Sequence, residues 1–425
     1  MVRSATIKDT YRSIGRCDVL LCCHDVNLGE TLEGLSYSKL VDSVSEDLTS
    51  KGWVCRRFAE PWSVLTGSKA WGNPASANQR IFFLKIQGKI CKFFPFLANS
   101  RKYKTKYSNL DPIERFYHEL FDITQPKCVI TIGSPPEMCR VARARSIAVF
   151  ELLHGIGYTP VPWGWDQQPA CNLPTGILSL DDVSTKTFGT LHSQGIEVKQ
   201  IPHPFFRRFL DPEARQKLPP QWQECPVWLP TDKIIILVSL AWGYDGDHGH
   251  HTQFAGILKN GLVPDQVIDA VGQTHDSVFW LLRLHPVQLR QNKYNHHRQF
   301  LDRLTKNHPN CEWRESSVLP LPLILSYCSG HLTMSSMTTY DAAFMGVKSL
   351  LLCPTLKGSS VFSDLYDSGF ATLGEFDTSS ILKWVTTVKR CSHPFTNSNN
   401  SDQDWDSAVQ WMLGRVYKSE SQSTL

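Results

Sequence analysis

The chain has 425 residues, 41% apolar and 20% charged, an ordinary globular composition with room for two or three domains. A net charge of +4 is too small to argue for nucleic acid as the main partner, since a polyanion binder normally carries a larger overall excess. The 13 cysteines contain no CxxC spacing, which argues against a zinc site or a redox dithiol and for buried reduced thiols. The opening MVRSATIKDTYRSIGR has no apolar core and no run reaches transmembrane length, so the expectation is a cytoplasmic protein, at most peripheral on the inner face of the membrane.

In chain order, Cys17 to Cys23 (CDVLLCC) is a continuous apolar run of the kind buried on both faces of a parallel sheet. The loop HDVNLGETLEG follows, then a predicted helix over 36–50 ended by Gly52, and a strand from Val54 to Ala59. Asp111-Pro112 opens a helix over 111–123 as a cap followed by proline at the first helical position. Cys128 to Ile132 is a strand, Ser134-Pro135-Pro136-Glu137 opens another helix, and Ile147 to Leu153 is a strand leading into His154-Gly155. Short strands at Gly176 to Leu180 and Val198 to Ile201 flank a helix. Residues 211–232 read as a Pro-rich linker, after which the pattern restarts. Strands are predicted at Ile234 to Leu240, Val278 to Leu284, His331 to Met334 and Ser349 to Cys353, alternating with helices at 262–272, 294–306, 321–327 and 336–345. Residues 403–418, with Trp405, Val409, Trp411, Met412 and Val416, fit one amphipathic helix. The fold class is therefore α/β, with two doubly wound units in succession. The expected domains are 1–215, carrying a basic insertion at about 61–110, then 216–395, and a crossover helix and tail at 396–425.

Ligands of open parallel sheets bind beyond the C-terminal ends of the strands, and each polar motif lies at such an end. In Leu281-Leu282-Arg283-Leu284-His285-Pro286 an apolar strand delivers Arg283, a forked donor for phosphate, and His285, a donor to phosphate or a leaving group. In Thr333-Met334-Ser335-Ser336-Met337-Thr338-Thr339-Tyr340-Asp341 a strand ends in a hydroxyl pair at a helix start, an attractive place for phosphate. Thr338 adds a hydroxyl and Asp341 is placed to accept from a ribose, although plain capping by either serine explains the same pattern. Trp242 and Gly243 follow the strand at 234–240, and Gly243 permits close approach of backbone to a ligand. His248, His250 and His251 sit in a Gly-rich loop rather than a metal-binding pattern, so no metal site is expected. In the first half His154 is the candidate general base, with Asp25 as the alternative; Glu151 is weaker, since it points to the opposite face of a regular strand.

The order RLHP, then TMSSMTTYDAAFMGV, preceded by LLHG and LSLDDVSTKTFGTLHSQGIEVKQIPHP, resembles the HP and SS motifs of capsule-type glycosyltransferases. These include bacterial polysialyltransferases, and the teichoic-acid polymerases share the pattern. The resemblance covers roughly 148–375 and implies the GT-B architecture, two Rossmann-like domains facing a cleft. It implies a C-terminal domain that binds a CMP- or UDP-sugar, with His285 on the donor phosphate, Ser335 and Ser336 holding it, and His154 at the position of the base. It also implies a glycan or lipid-linked acceptor, a surface-polysaccharide product, and no cofactor beyond the nucleotide-sugar substrate. The acidic motif that carries the base in polysialyltransferases has no clear copy here.

Between Glu60 and Asp111 there are nine Lys and Arg and no acidic residue. Phe82, Ile86, Ile90, Phe93 and Leu97 recur at helical spacing while Lys85, Lys89 and Lys92 share another face. That is the pattern of an interfacial amphipathic helix over 80–106, and equally of a core helix with a solvated basic face or a grip for an anionic glycan. Trp62 and Trp71 are candidate sugar-stacking rings or core residues. Glycosyl transfer is the leading expectation. A CDP-polyol phosphotransferase, a nucleotide-sugar epimerase and a non-catalytic nucleotide- or glycan-binding protein are the alternatives.

Overall fold

Continuous apolar runs become the central strands. The computed structural model describes residues 6–93, 110–242, 258–259, 261–389, 405–412 and 414. The chain divides into two compact units, Met1–Phe205 with Asn400–Leu425, and Phe206–Asn399.

The first unit contains β1 (Val19–Cys23), β2 (Glu30–Leu32), β3 (Leu35–Tyr37), β4 (Cys55–Ala59), β5 (Cys128–Thr131), β6 (Ala148–Leu152), β7 (Gly176–Ser179) and β8 (Glu197–Gln200). Its main sheet runs β4-β1-β5-β6-β7-β8, and every pairing is parallel. Both faces are covered, as the unbroken apolar runs require. Tyr11, Phe58, Phe116, Leu120 and Phe121 form the core on one side, and Val44, Leu48, Phe150 and Trp405 form it on the other. The segment Trp405, Ala408, Val409 and Met412 belongs to this second core. The Trp411 indole lies against Phe150 and donates to Glu197 at 3.2 Å. It fits because Gly176 has no side chain: a Cβ there would meet the indole at 2.7 Å.

Two local expectations change. The predicted helix at 36–50 begins only at Val41, because Leu35–Tyr37 pairs with Glu30–Leu32 as an antiparallel hairpin. The loop expected there is therefore partly β structure. Residues 211–232 contain the short helices Pro212–Arg215 and Pro220–Gln223, each started by proline.

The second unit contains β9 (Ile234–Ser239), β10 (Leu258–Lys259), β11 (Val263–Pro264), β12 (Val278–Arg283), β13 (Cys311–Glu312), β14 (Gly330–Thr333), β15 (Ser349–Leu351) and β16 (Ala371–Leu373). The order β13-β12-β9-β14-β15-β16 is all parallel and reproduces the Rossmann order, third, second, first, fourth, fifth, sixth, when the strands are counted from β9. The strand order reverses beside β9. A buried polar bridge ties three of its strands together: the His331 ring contacts Ser349 Oγ at 2.8 Å and Ser239 Oγ at 2.9 Å. Burial pushes the His331 pKa down to about 3, so the bridge is made by a neutral imidazole.

Candidate functional site

The register of the second sheet aligns the motif residues. Ser239 pairs with Arg283 on one side and Thr333 on the other. Ala241-Trp242, His285 and Ser335-Ser336 therefore emerge side by side from three adjacent strands, spaced roughly 5 Å apart from strand to strand. This is the switch-point edge at which doubly wound sheets bind ligands.

His285 is the best-defined member. It caps the helix Pro286–Arg290, its Nδ1 accepting from Val287 N at 3.3 Å, while Gln288 Oε1 accepts from His285 N at 2.9 Å. The proton of the neutral ring therefore lies on Nε2, which is left as a donor. Burial first, then Arg290, holds the His285 pKa below its usual value, so the ring is neutral near pH 7. It stacks on Trp242 with centroids 4.7 Å apart and planes 11° from parallel. Trp242 is in turn fixed by donating Nε1–H to Tyr294 Oη at 3.2 Å. The buried Gln288 also donates to Ala241 O at 3.1 Å, joining the loops after β9 and β12. Trp242 is 37% exposed, so this ring system presents apolar surface rather than filling a core. Gly243 and His248, His250 and His251 lie outside the described residues.

After β14, Ser336 Oγ accepts from Thr338 N at 3.2 Å and lies 2.9 Å from Thr338 Oγ1. Two hydroxyls share one hydrogen bond, which leaves one hydroxyl hydrogen to donate outward. Ser335, Ser336 and Asp341 are all half-buried.

Arg283 is arranged differently from the open phosphate fork expected of it. Its Nη1 donates to Ser316 O and, at 2.8 Å, to Leu319 O. That nitrogen clasps the end of the helix Arg314–Val318 onto β12 instead of facing outward.

In the first unit the structure separates the two candidate bases. Asp25 accepts Val64 N at 2.7 Å and Leu65 N at 3.1 Å. Both carboxylate oxygens thus anchor the loop after β4, which is a structural use rather than that of a base poised for substrate. His154 lies beyond β6 with part of its side chain at the surface, and partial desolvation of the ring, followed by Lys39, lowers its pKa. It stacks on Trp163, 6.4 Å away and 16° from parallel. Trp163 has a left-handed backbone (φ 60°), is 57% exposed, and is backed by Trp165 and Phe188.

Sequence reasoning missed Glu60, directly after β4. Its carboxyl accepts from Thr131 Oγ1 at 3.2 Å, and burial pushes its pKa up to about 8. Glu151 on β6 is fully buried and accepts from Gly133 N at 2.7 Å, Ser134 N at 2.8 Å and Ser134 Oγ at 2.5 Å. Burial lifts it to about 7, and its charge raises Glu60 further. The rule that strand ends carry chemistry applied to Glu60 as much as to His154. Trp163 gave no signal, because nothing local marks an indole that will be held in the left-handed region. Among the described residues no group of three His, Cys, Asp or Glu side chains is placed to hold a metal ion.

No family model matches the sequence, and no curated protein is similar to it. Solved structures do share the fold. UDP-GlcNAc 2-epimerase from Methanocaldococcus jannaschii matches with a TM-score of 0.52 and 12% identity, over 92% of this chain and 99% of that one. The Neisseria meningitidis UDP-GlcNAc 2-epimerase bound to UDP-GlcNAc matches at 0.50 and 11%, over 92% and 99%. The glycosyltransferase SnogD from Streptomyces nogalater matches at 0.41 and 12%, over 96% and 98%. At these identities the likeness is one of fold. The chain is α/β with two Rossmann-like domains of the GT-B-like type. The two Rossmann-like domains implied by the capsule-type resemblance are therefore present, while the family itself has no match at the level of sequence.

Proposed function

We propose that this protein is an enzyme acting on a nucleotide-activated sugar, and that its reaction is epimerisation of that sugar. The carrying observation is the stacked Trp242–His285 pair beside the Ser336–Thr338 hydroxyls, at the switch point of a Rossmann-ordered sheet. A nucleotide diphosphate placed there takes the Nε2–H of neutral His285 and one hydroxyl hydrogen as donors to its phosphate oxygens. Donors already fixed in position stabilise charge without reorganising. No resident cofactor is invoked, since the nucleotide sugar is the substrate. Glu60, half-buried directly after β4 and held near 8 by burial and by the neighbouring Glu151, has the near-neutral pKa that general acid–base catalysis calls for. The fold shared with two UDP-GlcNAc 2-epimerases over nearly their whole length supports this reading and makes UDP-GlcNAc the first substrate to test.

The test is proton NMR of UDP-GlcNAc incubated with the protein in D2O, with no acceptor present. The expected result is a second set of sugar signals, with deuterium entering at the inverted carbon. An unchanged donor contradicts epimerisation of that sugar.

A second reading, glycosyl transfer to a glycan or lipid-linked acceptor in surface-polysaccharide synthesis, is favoured by Trp163. An exposed indole beside His154 is a flat platform for a sugar ring, and a sugar acceptor is something an epimerase does not use. Under this reading the donor is consumed, and UDP released, only when an acceptor glycan is added.

A further inference from the structure

The helix Asn78–Phe93 carries apolar side chains on two opposite sides. Ile81 and Leu84 are buried in the core of the first unit, at 0% and 1% exposure. At 3.6 residues per turn, positions 82, 83 and 86 fall on the side away from 81 and 84. Phe82, Phe83 and Ile86 are accordingly 40%, 62% and 38% exposed. Phe82 and Phe83 touch edge to face, 6.1 Å apart, so they form one patch rather than isolated exposures.

Charge indicates what covers them. Residues 61–110 hold nine Lys and Arg and no Asp or Glu, in a chain whose net charge is +4, so the remainder carries a net charge of −5. Arg80 is bound to Glu119, and Lys85 lies 5.2 Å from the Trp62 ring centroid, beside the patch. In the sequence the same alternation continues through Lys89, Ile90, Lys92 and Phe93. Exposed aromatic side chains in a segment this rich in Lys and Arg suit an interface that is apolar below and anionic at its surface. A soluble polyanion without flat rings to stack needs the lysines but not the phenylalanines, and a protein partner needs no such excess of one sign.

We propose that the outward face of this helix docks the protein on an anionic lipid bilayer, with Phe82, Phe83 and Ile86 entering the headgroup boundary and Lys85, with the other cations of residues 61–110, pairing with lipid phosphate. The membrane is a peripheral site only: among the described residues no helix is long and apolar enough to cross a bilayer. Membrane docking is independent of the sugar chemistry, and vesicle binding needs no substrate.

The test is co-sedimentation of the full chain with vesicles of phosphatidylcholine alone and of phosphatidylcholine mixed with phosphatidylglycerol. Binding is expected to the mixed vesicles only, and to weaken as salt rises from about 0.1 M to about 1 M. The triple variant Phe82→Ser/Phe83→Ser/Ile86→Ser keeps every cation and the buried face, so it should melt like the parent and bind mixed vesicles roughly tenfold less. Two results overturn the proposal: a parent that ignores mixed vesicles, or a well-folded triple variant that binds them unchanged. Loss of self-association in that variant, measured by analytical ultracentrifugation in the absence of vesicle binding by the parent, assigns the patch to a second copy of the chain and also overturns it.

Discussion

His285→Ala removes three things at once, and they separate by measurement. The first is the Nδ1 cap on Val287 N, whose loss costs about 0.5–2 kcal/mol of stability. The second is the parallel stack on Trp242, worth about 0.5–1.5 kcal/mol. The third exists only with ligand bound, the Nε2–H donated to a phosphate oxygen. A hydrogen bond to a charged group contributes about 1.5–3 kcal/mol, which corresponds to roughly a tenfold to hundredfold change in Kd. His285→Asn keeps an oxygen for the cap and an amide donor but loses the flat ring. In thermal melts Ala should fall below Asn, and Asn below the parent. In calorimetric titrations with UDP near neutral pH, Ala should bind at least about tenfold more weakly and Asn should lie between. An Ala variant that melts lower yet binds UDP with the parent's affinity refutes the donor role and leaves His285 a cap.

Arg283→Ala should cost about 3 kcal/mol, because two backbone carbonyls lose a charged donor, and leave UDP affinity within about twofold at temperatures where the variant is folded; melts and titrations on one preparation check this. Asp25→Asn should lower turnover by less than about tenfold, since Asn still supplies one acceptor to the 64–65 backbone, whereas loss of a general base costs roughly a hundredfold or more. Glu60 is raised from its ordinary value to about 8, so its contribution to stability is whole below about pH 4.5 and is lost as pH rises through 8. Glu60→Gln should therefore raise the melting temperature at pH 8.5 and change it little at pH 5. His331 is depressed to about 3, so its contribution is present above about pH 6.5 and is lost as pH falls toward 3. His331→Asn, which cannot titrate, should flatten the acid limb of stability between those values.

The legible parts of this protein were the ones encoded locally. CDVLLCC and IIILVS read directly as buried parallel strands, and Asp111-Pro112 as a helix start whose aspartate does accept from Ile113 N at 2.8 Å. RLHPVQ held more than the sequence reading drew from it. Histidine before proline, with glutamine three residues on, is a capping pattern, and the Gln288 contact follows from it. What could not be read is what depends on distant partners. Arg283 is drawn to carbonyls 33 and 36 residues away, and Asp25 to amides 39 and 40 residues away, so two residues with the right chemistry at strand ends are engaged in holding loops. Glu60 owes its proton affinity to burial and to Glu151 on another strand, which no spacing reveals. The helix over 36–50 failed at its start for a related reason, since pairing of Tyr37 with Glu30 overrode the local periodicity.

Hydrogen–deuterium exchange with and without UDP tests the central claim most directly. The account predicts slowed exchange at the ends of β9, β12 and β14, in peptides covering 239–242, 284–288 and 334–340, because nucleotide bound by Trp242, His285 and Ser336 orders those loops. Protection confined to the strand ends of the first unit, or none at saturating UDP, contradicts it.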